Sequence, residues 1–214
     1  MKLKLKSATI LASLLISGCS NGVLNEYHGN QITIDSQVMG IPFLLGGTGS
    51  SVPITEELSI TAKHIASYDF SSVVAHHPSC DISIIKSDNR GKPIHPLGMA
   101  FPNSKLKTFG RDLWNPLKTI YGEGEFLQDV FLVDNKWNSK DCILSIIDAP
   151  VQVGMSGGGV YNNKDELVGV VVAMGGWDFK LLGTDQQPDR VSLMVSTLFI
   201  RDWINEVKAD FYSN

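Results

Sequence analysis

Ser156 stands in "QVGMSGGGVYNN" (152–163), with Gly154 before it and Gly157, Gly158 and Gly159 after it. A serine hydroxyl becomes a nucleophile when a neighbouring base accepts its proton. Its attack on a carbonyl creates an oxyanion that needs N–H donors aimed at it. Glycines allow the positive-φ backbone that turns successive N–H groups toward one point, and they keep Cβ atoms out of a substrate's way. The run therefore predicts a nucleophile turn in which the Gly154 and Ser156 N–H groups are oxyanion donors. The competing reading is a glycine-rich hairpin loop with an incidental serine.

Such a serine needs a base and a carboxylate. Of the five histidines, His64 is the best presented: in "LSITAKHIA" a hydrophobic strand runs into small residues and delivers an imidazole at its end. His76 and His77, in "HHPSCD", compete. The third group should be a carboxylate that fixes the imidazole tautomer. Asp81 heads the alternating run "DISIIK", 17 residues after His64, whereas the rivals Asp69 and Asp88 sit in turn-like stretches. A zinc site built from "HHPSC" and His64 is the remaining option, but the spacing matches no closed set of ligands.

The elements that must position these groups are short β-branched runs punctuated by Gly, Pro, Asn and Asp: "QITI", "LSITA", "DISIIK", "CILSII", "LVGVVVAM" and "VSLMVS". They predict an all-β sandwich or a pair of barrels. One segment has helical period: "STLFIRDWINEVKADF" puts Leu198, Trp203, Ile204 and Val207 near one face, with Ser196 or Thr197 as N-cap. The polar, Gly- and Pro-marked stretch 103–118 is a candidate joint between two β halves. With 214 residues, 43% hydrophobic, and a net charge of −4, the composition is globular and disfavours a nucleic-acid partner.

The N-terminus reads separately. "MKLKLK" and the nine-residue apolar run "ATILASLLI" form a secretory signal too short to span a bilayer. "ISGC" resembles the lipobox of bacterial lipoproteins, which implies cleavage before Cys19 and lipidation of its thiol. Ser20 then implies sorting to the outer membrane, facing the periplasm or the exterior. Residues 20–31 are polar and read as a tether. Cys80 and Cys142 remain, as a disulfide or as two buried thiols.

Taken together, "ITAKHIA", "CDISIIK", "VGMSGGGVYN", "LVGVVVAMG" and "VSTLFIRDWINEV" resemble, in that order, the chymotrypsin/trypsin-like serine peptidases, over residues 32–208. The order His, Asp, Ser distinguishes this family from other triad enzymes. The resemblance implies His64 as general base, Asp81 as its orienting partner, Ser156 as nucleophile, and Gly154 and Ser156 as oxyanion donors. It further implies that Ala173, Met174 and Gly175 pair with a polypeptide substrate, and that no metal or cofactor takes part. The implied fold is two antiparallel six-stranded β-barrels with a C-terminal α-helix. The expected division is a signal peptide (1–18), a tether (19–31), barrels over 32–110 and 111–196, and a helix and tail over 197–214.

Three features depart from the family pattern. Met155 stands where digestive members carry the aspartate that pairs with a new N-terminus, so the oxyanion loop must form by other means. No cysteine follows His64. The step from His64 to Asp81 is short. Asp148–Val153 would form a specificity wall with no charged base, and Arg190 either faces that pocket, favouring an acidic side chain, or lies in a solvated loop. The functional alternative is an inactive trypsin-fold lipoprotein that binds polypeptides without cleaving them.

Overall fold

The computed structural model describes residues 20–41, 45–67, 73–131, 141–175, 181, 183 and 187–213. The expected signal peptide, Cys19 and Asp69 lie outside these residues.

The first sheet is built from β2 (Asp35–Ile41), β3 (Leu45–Pro53), β4 (Leu58–Ala62), β5 (Val73–His76) and β6 (Ile82–Lys86), in the antiparallel order β2-β3-β4-β6-β5. Strand β4 shows why the sequence takes this place. Leu58, Ile60 and Ala62 turn to the core, while Ser59 and Thr61 are buried on the other face. There Thr61 Oγ1 donates to the Ser50 carbonyl at 2.7 Å, and Asn89 donates to the Ser59 hydroxyl at 3.1 Å. Period-two alternation thus separates an apolar face from a hydroxyl face whose polar groups are satisfied.

The second sheet closes on itself. Strands β7 (Lys105–Arg111), β8 (Thr119–Phe131), β9 (Ile143–Ile147), β10 (Gly159–Asn162), β11 (Leu167–Met174) and β12 (Ser192–Ser196) pair around a ring. The 13-residue β8 closes it by pairing with β7 at one end and β9 at the other. Inside lie Leu106, Phe126, Val160, Val168, Val171 and Met194. The opposite face of β11, with Val170 and Val172, packs into the core shared with the first sheet. Burial on both faces explains why "LVGVVVAM" is an unbroken apolar run.

The expected second six-stranded barrel is, among the described residues, an open five-stranded sheet. The stretch after β6 that could have supplied a closing strand leaves for the barrel instead. Leu97 bridges Leu167, the Gly98 N–H donates to the Leu167 carbonyl at 2.9 Å, and Leu167 donates to Pro96. The crossing between sheets therefore lies between Lys86 and Lys105, upstream of the 103–118 joint and the 110/111 boundary read from sequence. A polar, turn-rich stretch marked the β7–β8 connection rather than the joint.

The tether is also shorter than expected. β1 (Asn25–Glu26) adds to the outer edge of β8, and Ser20 bridges Gln152. At the other end, α1 (Lys63–Ala66) is a single turn after β4, and α2 (Thr197–Ser213) closes the chain. Ser196 Oγ accepts the Leu198 N–H at 3.3 Å, as an N-cap. Ile200, Ile204 and Val207 are the buried stripe of α2, while Leu198 is exposed. Leu198 misses the core because, at 3.6 residues per turn, it lies on the face opposite Ile200, Ile204 and Val207. Cys80 and Cys142 form a disulfide that joins the first sheet to the barrel.

Candidate active site

Strand β4 ends at Ala62, and α1 turns His64 out of the sheet. The antiparallel register sets Ala62 opposite Ile82, so Asp81 arrives beside the start of α1, where its carbonyl accepts the Lys63 N–H at 3.1 Å. Both carboxylate oxygens then reach His64: Oδ1 accepts the backbone N–H at 2.9 Å, and Oδ2 lies 2.6 Å from Nδ1. The 17-residue spacing is short because one strand pairing, with β5 looped out between, is enough to bring the groups together.

Asp81 is itself held from behind. His77 Nδ1 accepts the Cys80 N–H at 2.9 Å and the Ser79 N–H at 3.2 Å, and Lys63 Nζ donates to the His77 carbonyl at 2.5 Å. The imidazole packs edge-on against Trp203 of α2, with centroids 5.0 Å apart. Burial, and then the charge of Lys63, lower the His77 pKa, which favours the neutral ring that these bonds require. The Cys80–Cys142 disulfide adds a covalent tie immediately before Asp81. His77 competed with His64 as a base. Its Nδ1 is instead committed to the turn, and Cys80 is oxidised, so "HHPSC" is structural.

The serine arm is built differently. Gln152–Met155 is a tight turn closed by the Met155 N–H on the Gln152 carbonyl at 3.1 Å, with Gly154 at φ +99° in its third position, as a type II turn requires. Among the described residues the N–H groups of Gly154 and Ser156 have no acceptor. The Ser156 carbonyl accepts the Ser50 N–H at 2.8 Å, and the Gly154 carbonyl accepts Ser50 Oγ at 2.8 Å. Gly157, at φ +84°, packs so closely on the first sheet that a Cβ there would lie 2.0 Å from the Ser50 carbonyl oxygen and 2.3 Å from Thr61 Oγ1. This glycine is required by the approach of two sheets, not by clearance for a substrate as the sequence suggested.

Met155 is fully buried in the barrel, against the backbone of Gly110. Apolar burial, worth about 1.5–3 kcal/mol for such a side chain, anchors the turn where digestive members use an ion pair. Ser50 is the residue the sequence reading missed. It is fully buried, it binds the turn through N and Oγ, and its Oγ accepts the Arg111 N–H at 2.8 Å. A serine within "LGGTGSSVP" carries no local sign of that role.

A cavity of about 450 Å³ brings the arms together. His64, Asp81, Ser156, Ala173 and Met174 all line it, with Val151, Val153 and Val171 as an apolar wall. Ser156 Oγ makes no hydrogen bond among the described residues, so Ser156 and His64 are linked by the cavity that both line. Along β11, Val171 still bonds across to Gly158, but Ala173 and Met174 pair only with β12, and the Gly175 N–H donates to Val191. Their other edge is unpaired among the described residues. Arg190 is not part of the cavity; its Nε lies 2.8 Å from Asp148 Oδ1, so the acid-favouring pocket is not formed. Cys19 lies outside the described residues.

No known family's sequence profile matches the chain, and no curated protein sequence does. Solved structures do. The HtrA-type protease AlgW, with a bound tripeptide, superposes with a TM-score of 0.66 at 14% identity, over 83% of this chain and 60% of AlgW. The active form of the M. tuberculosis protease Rv3671c gives 0.66 at 13% identity, over 83% and 82% of the two chains. The MamO protease domain of Magnetospirillum magneticum gives 0.60 at 18%, over 82% and 97%. The fold is that of the trypsin-like serine proteases. In this fold the cavity described above opens between the first sheet and the barrel, where the two arms meet.

Proposed function

We propose that the chain is a serine endopeptidase. Asp81 holds the Nδ1–H tautomer of His64, leaving Nε2 as the base that takes the Ser156 proton. Ser156 Oγ then attacks the scissile carbonyl, and the resulting oxyanion receives the N–H groups of Gly154 and Ser156. His64 passes its proton to the leaving amine, and a water activated by the same nitrogen hydrolyses the acyl-enzyme. The substrate backbone lies along Ala173, Met174 and Gly175 by strand addition, on the edge of β11 that β12 leaves free. The lipobox-like "ISGC" adds that Cys19 is lipidated and holds the enzyme in a bacterial envelope, outside the cytoplasm.

The observation that carries the reading is the pair of hydrogen bonds between His64 and the Asp81 carboxylate in a cavity shared with Ser156. The unbonded Ser156 hydroxyl is the one feature that favours the alternative, a polypeptide-binding module without turnover. A fluorophosphonate probe separates them. We expect covalent labelling of the parent, and loss of label in Ser156→Ala and in His64→Ala. Folded parent protein that takes no label would establish the binding module instead.

A further inference from the structure

The N-terminal segment is fastened to the body from its first described residue. Ser20 bridges Gln152, and Asn21 and Val151 exchange bonds: the Asn21 N–H donates to the Val151 carbonyl at 3.1 Å, and the Val151 N–H donates to Asn21 Oδ1 at 2.8 Å. Asn21 Nδ2 also donates to the Val191 carbonyl and to Ser192 Oγ. Beyond it, β1 pairs with β8, and Lys118 Nζ lies 2.6 Å from Glu26 Oε2. Cys19 is one residue, about 3.8 Å of chain, from this fastened point. A lipid on its thiol would leave no free linker between bilayer and fold.

The β7–β8 loop and the N-terminal segment carry the three most exposed large hydrophobic side chains among the described residues: Leu117 at 89% and Trp114 at 76% on the loop, and Val23 at 80% four residues beyond Cys19. Trp114 and Leu117 ride on the β7–β8 loop, which is tied to the N-terminal segment through Lys118–Glu26 and to the serine turn by Gln152 Nε2 donating to Asp112 Oδ1 at 3.2 Å. Two such side chains lie three residues apart on one loop, and tryptophan favours the bilayer interface.

We propose that Val23, Trp114 and Leu117 form a docking face that lies on the lipid surface to which Cys19 is attached. This rests on the lipidation of Cys19 argued above, and not on the catalytic reading. The lipid supplies the attachment, while the side chains set the orientation. A zero-length linker makes their contact effectively intramolecular. Because Ser20 and Asn21 grip Gln152 and Val151, which line the cavity, the cleft is held beside the bilayer, where polypeptide segments close to the membrane reach it first.

The test uses the full chain purified from bacterial membranes, with the mass at Cys19 determined first. It is then reconstituted in phosphatidylethanolamine and phosphatidylglycerol vesicles containing lipids brominated on the acyl chain. We expect bromine-dependent quenching of tryptophan emission, most of it lost in Trp114→Phe and reduced in Val23→Ser/Leu117→Ser. The comparison is made in a Trp137→Phe/Trp177→Phe background, in which Trp203, packed on His77, is the one other tryptophan and serves as the control. Lipid on Cys19 with quenching unchanged by Trp114→Phe would overturn the docking face alone. A chain without lipid on Cys19 would overturn the anchor and the face together. A detergent-solubilised dimer that Trp114→Ala dissociates would assign the face to a second copy of the chain and also overturn the proposal. Fluorophosphonate labelling of the same samples reports on Ser156 independently.

Discussion

The two arms of the cavity are held in place by different physics. The His64–Asp81 arm relies on directional polar contacts: two bonds from one carboxylate, a neutral His77 accepting two N–H groups, and a disulfide behind them. The Ser156 arm relies on shape: a positive-φ turn, a glycine pressed against another sheet, and a methionine sunk in the barrel. The first arm should therefore respond to charge, redox state and pH. The second should respond to volume.

Substitutions can break that contrast, and the largest effect belongs to the polar arm. Asp81→Asn keeps the shape but loses the tautomer, and the rate of fluorophosphonate labelling should fall by about 10⁴-fold with the thermal transition unchanged. A fall below tenfold would remove Asp81 from the proposed machinery. Replacing both cysteines, Cys80→Ser with Cys142→Ser, opens a crosslink spanning 62 residues and should cost about 4 kcal/mol in urea denaturation. Labelling of the surviving native fraction should drop as well, because Asp81 loses the tie beside it.

On the steric arm, Gly157→Ala should cost about 3 kcal/mol, combining left-handed backbone with a Cβ driven into Ser50. Gly91→Ala is the matched control: its φ is +77° with nothing within 4 Å, so only the conformational cost of about 1–2 kcal/mol applies. Equal losses at the two sites would show that packing against the first sheet is unimportant.

The smallest effect is a pH dependence confined to the polar arm. The His77 pKa is lowered in the folded protein, so the unfolded chain takes the proton first as pH falls. Its contribution is complete above the unfolded value of about 6.5 and disappears as pH drops through the lower folded one. The denaturation midpoint of the parent should fall more steeply than that of His77→Asn below pH 6.5. Parallel profiles would show that His77 does not act through its neutral form.

Several of these features could be read locally and others could not. The tight turn before Ser156 was visible because glycine spacing is a backbone requirement that the sequence displays. The exposed and buried faces of α2 were only partly read: Ile204 and Val207 were placed correctly, but Leu198 was set on their face although period 3.6 puts it opposite, with Ile200 in the buried stripe instead. The state of Cys80 and Cys142 was open in the sequence because 62 residues of separation say nothing about Cα distance. Arg190 was ambiguous for the same reason, since its partner Asp148 lies across a fold and not along a strand. The second six-stranded barrel was implied by the family resemblance; among the described residues the first sheet is an open five-stranded one, since a resemblance does not dictate where each connecting chain goes.

Residue order, glycine placement and strand alternation were enough to single out Ser156, His64 and Asp81 as candidates, because each depends on chemistry or backbone freedom carried within a few neighbouring residues. Whether those groups share one cavity, and why Gly157 must lack a side chain, came from the packing of one sheet on another. Such contacts join residues tens to more than a hundred positions apart, such as Ser50 with Gly154. No local pattern encodes a distance that arises only when two surfaces meet.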